Sequence, residues 1–597
     1  MRALLALLVL ALTTLAAAGP ARAAGTGSGT STFPTGAATT TATTAPGTTT
    51  TAAATTAAST TTTAAPGTPV LVNSMDTPPA GYRLTAAKVL RIASVDPRVK
   101  AELARHPKAT PYEYTKGAPT WQVSWFSDTK PQHELLQVYV DDNTGAVTQA
   151  WTGFQVAWTM ARGYPGAFGR RVNAWYLWLP LSLLFVAPFV PFKSRPTLLH
   201  LDLLMLLGFS ISLAFFNNAR IGLSVPLVYP FLIYLLVRML LLANGRGLPR
   251  APLRLLVPEQ WLAVATVFLM AFRIGLNVLN SNVIDVGYAG VIGADKLIHG
   301  VALYGHWPHD NLYGDTYGTV SYLMYVPFRL IFGWSGTWDS LPAAHAAAIC
   351  FDLLTMAGLY LLGRRLRGNA LGIVLSYLWA AYPFTLYALN SNTNDSLVAA
   401  TLVFALLAIT SAPGRGVMAL LAGMTKFAPF ALAPLLMRGT AERLRGRSLV
   451  AFVVAFGLSA VVVMLPVLLH HDLGPFWRDS VQYQSDRVTP FSVWGLWGGL
   501  GAVQRLLQGA VIALALGIAF LPSRRTLIDV AALGAAVLIA LQLTLNYWLY
   551  PYIVWFYPLV IVALLASHPD RHERPLRAWS DPATSEAPPA RIHITSP

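Results

Sequence analysis

The sequence predicts a mainly α-helical protein that crosses a membrane many times and carries a small α+β domain before its helical part. Its composition is 54% hydrophobic and only 11% charged, whereas charged residues make up roughly 25% of a soluble protein. Apolar runs recur between residues 175 and 566, and a run of about 20 apolar residues spans a bilayer as a helix. Residues 84–151 differ, because a helical pattern there is followed by alternating strand patterns.

The formal net charge of +16 comes from short basic clusters between the apolar runs, such as Arg364, Arg365 and Arg367. Lys and Arg concentrate in the cytoplasmic loops of membrane proteins. The clusters therefore indicate topology rather than a nucleic-acid surface, and we expect no nucleic-acid partner. The one cysteine, Cys350, lies in an apolar run, which excludes an intrachain disulfide and a cysteine-based metal site. We expect no metal and no cofactor.

The amino end has the build of a cleavable signal peptide over residues 1–23. A basic residue, Arg2, precedes an apolar stretch that ends in the small-residue sequence Ala21-Arg22-Ala23. Residues 24–70 are almost only Thr, Ala, Gly, Ser and Pro, with too little apolar bulk to offset the entropy of folding. We therefore expect a disordered linker there and an extracytoplasmic module after it.

That module, residues 71–160, combines a helical pattern over 85–103 with strand patterns at 121–125 and 136–140. A turn at 141–145 follows within the sequence V-Y-V-D-D-N-T-G-A-V-T. This run resembles the PepSY family, whose repeat ends in a similar Val-Asp-x-x-Thr-Gly-x-Val turn. The resemblance implies a partner-binding or regulatory unit, and a spacer without a ligand is the alternative.

The membrane part divides into three additional transmembrane helices within 170–256, a core at 257–567 and a cytoplasmic tail at 568–597. The predicted spans are 175–192, 199–216, 223–242, 261–279, 342–362, 371–389, 397–409, 450–469, 500–521, 527–547 and 548–566. These are about 11 crossings by the length rule. When the basic clusters are placed on the cytoplasmic side of a bacterial plasma membrane, the module lies outside the cell and the tail lies in the cytoplasm.

Two further apolar segments are predicted not to cross. Residues 322–332 are too short, and we expect a helix lying in the interface with its aromatics at the headgroup level. Residues 417–437 have Arg415 before them and Arg438 after them, with Lys426 and Pro429 near the middle. Charge at both ends predicts a broken, re-entrant hairpin, which is tolerated where protein or a wet cavity surrounds it.

Three polar stretches converge on the predicted outer face. They are the loop at 280–328, which carries Asp285 and Asp315, the turn at 390–395 and the loop at 470–490. A carboxylate at a membrane is costly unless it is solvated or paired. A site that faces both lipid and water suits a substrate with an apolar tail and a polar head.

Six motifs give these stretches a family resemblance. In chain order they are DVGY at 285–288, YGDTYGTVSY at 313–322, ND at 394–395, AGMTKFAP at 422–429, QSDRVTPFSVW at 484–494 and YPYIVWFYP at 550–558. The order of these motifs resembles that in the GT-C superfamily of integral-membrane glycosyltransferases. The resemblance is strongest to the polyprenol-phosphate-sugar-dependent family that includes bacterial α-mannosyltransferases. The resemblance implies a GT-C-type bundle that moves a sugar, with mannose expected, from a polyprenyl-phosphate donor to a glycan, glycolipid or glycoprotein acceptor of the envelope.

Such a transfer needs a base for the acceptor hydroxyl. We assign this role to Asp285, because GT-C members have an acidic residue soon after the first core span and a carboxylate within hydrogen-bond reach can take the proton. Asp315 is the competing candidate. In-line displacement would invert the anomeric centre.

The departing phosphate needs positive or hydrogen-bonding groups to meet its growing charge. Arg487, with Gln484 near it, is the first choice for this role. His306 and His309 are the alternatives.

Five further residues complete the predicted substrate-binding set. Tyr288, Trp494 and Trp555 could stack on sugar or prenyl groups. Lys426 could reach a phosphate, or its side chain could extend to the inner face. Asp395 could orient the site, or it could cap the following helix, which is the expected role because Asp suits helix starts.

Two other classes of function remain open. A transporter or flippase for lipid-linked sugars is favoured by the number of spans and by Lys426. It is disfavoured because the spans contain few ionisable residues that could form a proton relay. A membrane anchor that displays the PepSY-like module would not need so polar an outer face.

Overall fold

The computed structural model describes residues 69–130, 132–163, 170–190, 195–441, 445–487, 489–522 and 524–569. The predicted signal peptide, residues 24–68 of the predicted linker and the tail beyond residue 569 lie outside the described residues. The described chain is mainly helical, with one small sheet near its amino end.

The N-terminal module is a five-stranded antiparallel sheet in the order β1-β2-β3-β4-β5, with two helices between its first two strands. The strands are β1 (Val70–Leu71), β2 (Thr110–Thr115), β3 (Thr120–Phe126), β4 (Glu134–Asp141) and β5 (Val147–Thr152), and the helices are α1 (Ala86–Val95) and α2 (Pro97–Arg105). Alternate residues Trp121, Val123 and Trp125 of β3 are buried in one apolar cluster with residues of both helices. One face of the sheet and the two helices therefore form this domain's core.

The sequence predicted two of these strands, which correspond to β3 and β4, and one continuous helix. The helix instead breaks at Asp96, whose side chain accepts a hydrogen bond from the Arg98 amide and caps α2, while Pro97 takes the first helical position. The residue before a proline is disfavoured in the α conformation, and proline lacks the amide needed within a helix. The outer strands β1, β2 and β5 lacked a clear alternating pattern because β1 is short and β2 contains Pro111.

The Asp-Asp-Asn-Thr-Gly turn joins the sheet to the first helix. Asp141 Oδ1 accepts from the Thr144 amide at 2.8 Å and closes the turn. The Asp142 carboxylate accepts from the Leu84 amide at 2.9 Å and from Trp121 Nε1 at 2.8 Å. These bonds satisfy a buried carboxylate and a buried indole, so the motif stabilises the module.

The rest of the described chain is helical. The α-helices are α3 (Phe154–Ala157), α4 (Trp175–Val186), α5 (Leu198–Asn217), α6 (Ile221–Ala243), α7 (Glu259–Leu279), α8 (Asp285–Ile298), α9 (Thr319–Leu323), α10 (Val326–Phe332), α11 (Pro342–Ala381), α12 (Pro383–Asn390), α13 (Asp395–Leu407), α14 (Ala412–Thr425), α15 (Ala433–Arg438), α16 (Gly446–Leu469), α17 (Leu473–Phe476), α18 (Tyr483–Asp486), α19 (Val493–Leu496), α20 (Gly501–Gly517), α21 (Leu527–Gln542) and α22 (Ile553–Ala566). Single turns of tighter or wider helix lie at Thr159–Arg162, Arg170–Asn173, Ala187–Phe189, His309–Asn311, Ala428–Leu432, Trp477–Gln482 and Tyr550–Tyr552.

Within the described residues, 5 helices are long and apolar enough to cross a membrane: α5, α6, α7, α11 and α16. The other predicted crossings correspond to shorter apolar helices, among them α4, α13, α20, α21 and α22. A helix such as α13, with 13 residues, extends about 20 Å at 1.5 Å per residue, less than the roughly 30 Å of a bilayer core. The prediction from apolar runs overestimated the length of the continuous helices, because an apolar run does not show where the backbone turns.

Helix α11 is two helices joined at a kink. Arg367 and Gly368 have non-helical backbone angles. Beyond the kink the chain runs back along itself, since the Ser376 hydroxyl donates to the Met356 carbonyl at 2.9 Å. A Cβ on Gly363 would lie 2.6 Å from the Cα of Gly372, so only glycine permits this approach. The arms correspond to the predicted spans 342–362 and 371–389.

The segment predicted as a broken hairpin folds back on itself. Helix α14 ends at Lys426, and α15 runs on to Arg438. Near the two ends, Arg415 Nε donates to the Leu436 carbonyl at 2.6 Å and Arg415 Nη1 donates to the Ile409 carbonyl at 2.5 Å. The two arms therefore begin and end beside each other, with the break at Lys426 between them.

The short segment predicted to lie flat also forms two short helices, α9 and α10, rather than one long one. Leu330 and Ile331 on α10 are 64% and 72% exposed. Arg329 pairs with Asp295 of α8 at 2.7 Å. One side of α10 is thus tied to the protein while its apolar residues face outward, an arrangement typical of an amphipathic surface helix.

Two buried ion pairs that sequence analysis missed tie the long helices together. Arg273 of α7 binds Asp352 of α11, with Nη2 2.5 Å from Oδ1, and Trp379 Nε1 donates to the same oxygen at 2.8 Å. Arg238 of α6 binds Asp202 of α5 at 3.0 Å. Charges within apolar helices are costly unless they pair, and here they hold neighbouring helices in register.

We predict that Arg273→Leu lowers the free energy of unfolding by about 3–5 kcal/mol, because it leaves the Asp352 charge buried without its partner. The double variant Arg273→Leu/Asp352→Leu should recover most of this loss. Steric trapping in bicelles would measure both values. Arg246→Leu, which changes an exposed arginine, serves as the control and should leave stability unchanged. A double variant as unstable as the single one would contradict the assignment.

Candidate functional site

The first site carboxylate, Asp285, begins helix α8. The chain just before it is held against the turn at 390–395, because the Asn282 amide donates to the Asn390 carbonyl at 3.0 Å and the Ile284 amide to the Ser391 carbonyl at 3.3 Å. A Cβ on Gly287 would lie 2.3 Å from the Asn392 carbonyl oxygen, so a side chain there would push the two segments apart. The loops predicted to converge are in direct contact.

The second carboxylate, Asp395, lies at the start of helix α13 and is almost fully buried. Its Oδ1 accepts a hydrogen bond from Trp555 Nε1 at 2.7 Å and lies 3.7 Å from Lys426 Nζ. The helix has no side-chain capping bond, so the carboxylate does not cap it and instead orients its two partners. Its charge still favours the positive end of the helix.

Lys426 lies where the hairpin breaks, between α14 and the turn that follows. Besides Asp395, its ammonium group lies 4.5 Å from the ring centroid of Tyr317, close enough for a cation–π contact. The side chain therefore points into the protein rather than to a surface. The sequence left both directions open, and the packing at the break decides between them.

Arg487 is held by aromatic rings. Its guanidinium carbon lies 3.7 Å from the ring centroid of Tyr547, 5.6 Å from that of Tyr483 and 5.8 Å from that of Trp158. Among the described side chains, no carboxylate lies within ion-pair distance of it, and its buried Nε has no hydrogen-bond partner. Arg487 is thus a fixed cation with capacity for an anion.

Asp285 lies in the electrostatic field of this group. Burial raises the pKa of the Asp285 carboxyl above its usual range, while the charges of Arg487 and Lys426 oppose the rise and that of Asp395 adds to it. The residue as a whole is partly exposed, and within the described part of the chain no other side chain donates a hydrogen bond to its carboxylate. Two carboxylates and two cations therefore share one polar centre, which we call the charged cluster: Asp285, Asp395, Lys426 and Arg487.

Gln484 connects the Arg487 segment to the loop that carries Asp315. Its amide nitrogen donates to the Thr316 carbonyl at 3.3 Å, and next to it the rings of Tyr313 and Tyr483 stack at 5.4 Å. Gln484 also lines an open-sided groove that runs between the hairpin, α20 and the end of α21.

Asp315, the alternative base, is buried outside the charged cluster. Its Oδ2 accepts from the Gly305 amide at 2.9 Å. Burial raises the pKa of Asp315 to about 6; Asp479 adds to the rise and Lys296 opposes it. A buried carboxyl already bonded to a backbone amide favours a role in holding its loop.

The remaining predicted residues lie elsewhere. Tyr288 is fully buried, stacks on Trp338 with centroids 4.8 Å apart and donates to Asp310 at 3.1 Å. Trp494 donates to the Leu543 carbonyl at 2.9 Å. His306 is exposed at a positive φ of 51°. In the described structure no contact joins these three side chains to the charged cluster.

His309 begins a single tight helical turn, and its side chain lies outside the described part of the structure. The other predicted residues, Asp285, Asp395, Lys426, Arg487 and Trp555, are brought together, with Gln484 beside them.

Four aromatic residues of the site were not predicted: Tyr317, Tyr483, Tyr547 and Trp158. The first two lie in or beside the motifs at 313–322 and 484–494, so their spacing from Asp315 and Arg487 offered a sequence signal. Tyr547 lies near the end of an apolar run, where aromatic residues are common without a ligand. Trp158 gave no signal, because only tertiary contact brings the end of the N-terminal module to Arg487.

No group of three or more His, Cys, Asp or Glu side chains in the described residues is placed to hold a metal ion. No family model matches the chain, and no curated protein matches it either.

The raised pKa of Asp315 predicts a pH-dependent stability. A carboxyl whose folded pKa is about 6, against an ordinary value of 3.8, contributes stability that is fully present below the lower value and is lost as pH rises through the higher one. We expect a loss of about 3 kcal/mol across this window, at 1.36 kcal/mol per unit. In Asp315→Asn this dependence should be absent, so the melting temperature of the variant minus that of wild type should rise between about pH 4 and 6 and then level.

Asp76→Asn provides the control, because it removes an exposed carboxylate from a different part of the described chain. If Asp315→Asn also keeps a constant offset from wild type across this range, Asp315 does not titrate there.

Proposed function

We propose that this protein is a membrane glycosyltransferase of the GT-C kind, which transfers a sugar from a polyprenyl-phosphate donor to an envelope glycan, glycolipid or glycoprotein. The observation that carries the proposal is the charged cluster. Asp285, whose carboxylate receives no side-chain hydrogen bond in the described chain, shares it with Arg487, a cation that has no carboxylate partner among the described side chains. The motif order that resembles the polyprenol-phosphate-sugar-dependent family supplies the reaction class, with mannose as the expected sugar.

The proposed step is a single in-line displacement. The acceptor oxygen forms a bond to the anomeric carbon while the bond from that carbon to the phosphate oxygen breaks, and the electron pair of the broken bond stays on the phosphate. Asp285 takes the proton of the acceptor hydroxyl. Attack from the face opposite the phosphate inverts the anomeric centre.

Arg487 meets the negative charge that develops on the leaving phosphate. A preorganised cation in a site shielded from water stabilises such charge without reorganising during the reaction. The three rings around Arg487 fix its position but supply no anion, so its charge remains available. Lys426 already pairs with Asp395 at 3.7 Å, and its role is to add positive field near Asp285 and the phosphate.

Asp285 is favoured over Asp315 as the base by its contacts. The Asp285 carboxylate receives no side-chain hydrogen bond within the described chain, and the residue is partly exposed. Asp315 is 6% exposed and accepts from a backbone amide. A base must reach the proton that it removes, and Asp285 belongs to the charged cluster with Arg487, whereas Asp315 lies outside it and is held by a backbone amide.

The groove beside Gln484 suits an apolar lipid chain. Small and aliphatic side chains line much of it, including Ala428 and Ala431 of the hairpin and Val511 and Ile512 of α20. Polar groups such as Asn546 lie along the same groove. A prenyl chain placed here would have its phosphate toward the Arg487 segment, because Gln484 belongs to both.

The proposal carries a topology. In this topology the chain crosses a bacterial plasma membrane about 11 times and has one re-entrant hairpin. The charged cluster and the PepSY-like module lie on the outer face, and the tail lies in the cytoplasm. Shorter helices would cross together with the turns that flank them, as broken helices do when protein surrounds them. A site at the outer leaflet would receive a donor whose sugar already faces outward.

Glycosyl transfer in membranes tests the proposal. With polyprenyl-phosphate mannose as donor, we expect Asp285→Asn to lower the transfer rate by about 10²–10⁴-fold, the range for loss of a general base, while donor binding is retained. Radiolabel passing from donor to acceptor gives the rate. The matched control is Asp295→Asn, which alters another carboxylate on the same helix and should keep most activity.

Wild-type transfer by Asp285→Asn would remove the assignment of the base. Absence of transfer in wild type, together with movement of the lipid-linked sugar between leaflets, would instead identify a flippase that uses the same cluster.

The pH profile of kcat gives a second test. Because burial raises the pKa of Asp285, activity should fall as pH drops through that raised pKa and Asp285 becomes protonated. Lys426 opposes the rise, so Lys426→Gln should move the acidic limb to higher pH. Lys296→Gln, which removes a lysine near Asp315, should leave the limb in place. An unmoved limb in Lys426→Gln would show that another group controls it.

A further inference from the structure

The segment that follows the N-terminal sheet packs on the helical domain beside the charged cluster. It comprises residues 154–162, which we call the linking segment, and contains α3, Trp158 and a tight helical turn. The Trp158 ring meets that of Phe491 edge-on at 5.6 Å. The Tyr547 hydroxyl lies 3.9 Å from Met160 Sδ. The linking segment therefore contacts Phe491 and Tyr547, and the ring of Tyr547 is one of the three, with those of Tyr483 and Trp158, that form the aromatic frame around Arg487.

Trp158 completes that frame. Of the three rings around the guanidinium, those of Tyr483 and Tyr547 belong to the helical domain, while that of Trp158 comes from the linking segment. The buried Nε of Arg487 has no hydrogen-bond partner in the described chain. Ring faces thus set much of the orientation of the guanidinium, and removal of one face allows it to turn.

The other end of the linking segment is fixed to the sheet. Arg162 donates to the side chain of Gln137 on β4 at 2.6 Å and to the carbonyls of Gln155 and Val156 at 2.8 and 3.0 Å. Its guanidinium also lies 5.6 Å from the ring centroid of Trp151. These contacts make a continuous path from the sheet through Arg162 and Trp158 to Arg487.

We infer that Trp158 is a positioning residue for Arg487 and that the N-terminal module is part of the donor site rather than an appendage to it. The role of the site as a phosphate-binding one rests on the proposed function above. The contacts of Trp158 with Arg487 stand independently of it. A partner that bound the module and moved the linking segment would change the affinity of the site.

The test is the affinity of the full-length protein in nanodiscs for polyprenyl phosphate, the donor lipid without its sugar. Trp158→Leu, which keeps apolar bulk but removes the ring, should weaken binding about tenfold. Trp158→Phe, which keeps a ring, should stay within about threefold of wild type. Trp175→Leu is the control, because Trp175 is 76% exposed and should leave binding unchanged.

Hydrogen exchange of residues 477–487 provides a readout that needs no ligand. It should rise in Trp158→Leu and remain at the wild-type level in Trp158→Phe, while exchange in α5 and α6 stays constant. Arg162→Met, which cuts the path at the sheet, should act in the same direction and covers the case in which Trp158→Leu does not fold. Unchanged exchange and unchanged affinity in the leucine variant would overturn the inference.

If wild type does not bind polyprenyl phosphate, the proposed function fails and the exchange measurement alone decides the positioning role. If exchange then increases only in the leucine variant, the conclusion that Trp158 positions Arg487 still holds. Equal exchange in the leucine and phenylalanine variants would remove it.

Discussion

The Asp395 carboxylate joins three separate parts of the helical domain at one buried point. It begins α13, accepts a hydrogen bond from Trp555 of α22 and lies 3.7 Å from Lys426 at the break of the hairpin. A buried charge without a partner is strongly destabilising, so the hairpin must stop and turn where its lysine can reach this carboxylate. The position of the hairpin in turn sets one wall of the groove beside Gln484, and Lys426 places positive field near Asp285.

Two other buried carboxylates of the described chain, Asp352 and Asp202, are paired with arginines, and the contrast supports the assignment of the site. Arg273 and Asp352 satisfy each other with help from Trp379, and Asp202 is bonded by Arg238 and Tyr234. Arg487 instead faces aromatic rings, and Asp285 receives no side-chain donor within the described chain. Ionisable groups in perturbed environments cluster at functional sites. The paired charges also show that ionisable residues lie within the long helices, which weakens one argument against a transporter. Their complete pairing leaves them no open role in a proton relay.

Much of this arrangement could be predicted from the sequence, because charge and apolar length are local properties. Basic residues at both ends of an apolar run correctly predicted that the segment around Lys426 folds back, and the polar loop before Asp285 and the turn at 390–395 lie together as predicted. Kinks were not predictable from apolar length, since a continuous run does not show where the backbone turns. Aromatic roles were also poorly predicted: Tyr288 is fully covered by protein, whereas Trp158 lies more than 300 positions before Arg487 and reaches it only through tertiary packing.

A structure determined with bound polyprenyl phosphate would test the central claim most directly, because it shows which cations hold the phosphate. The account predicts the phosphate within hydrogen-bond distance of Arg487 and near Lys426 and Asp285, with the prenyl chain in the groove beside Gln484. A phosphate held elsewhere, for example by Arg438 and Arg525 near the end of α20, with the charged cluster left without it, would contradict the account.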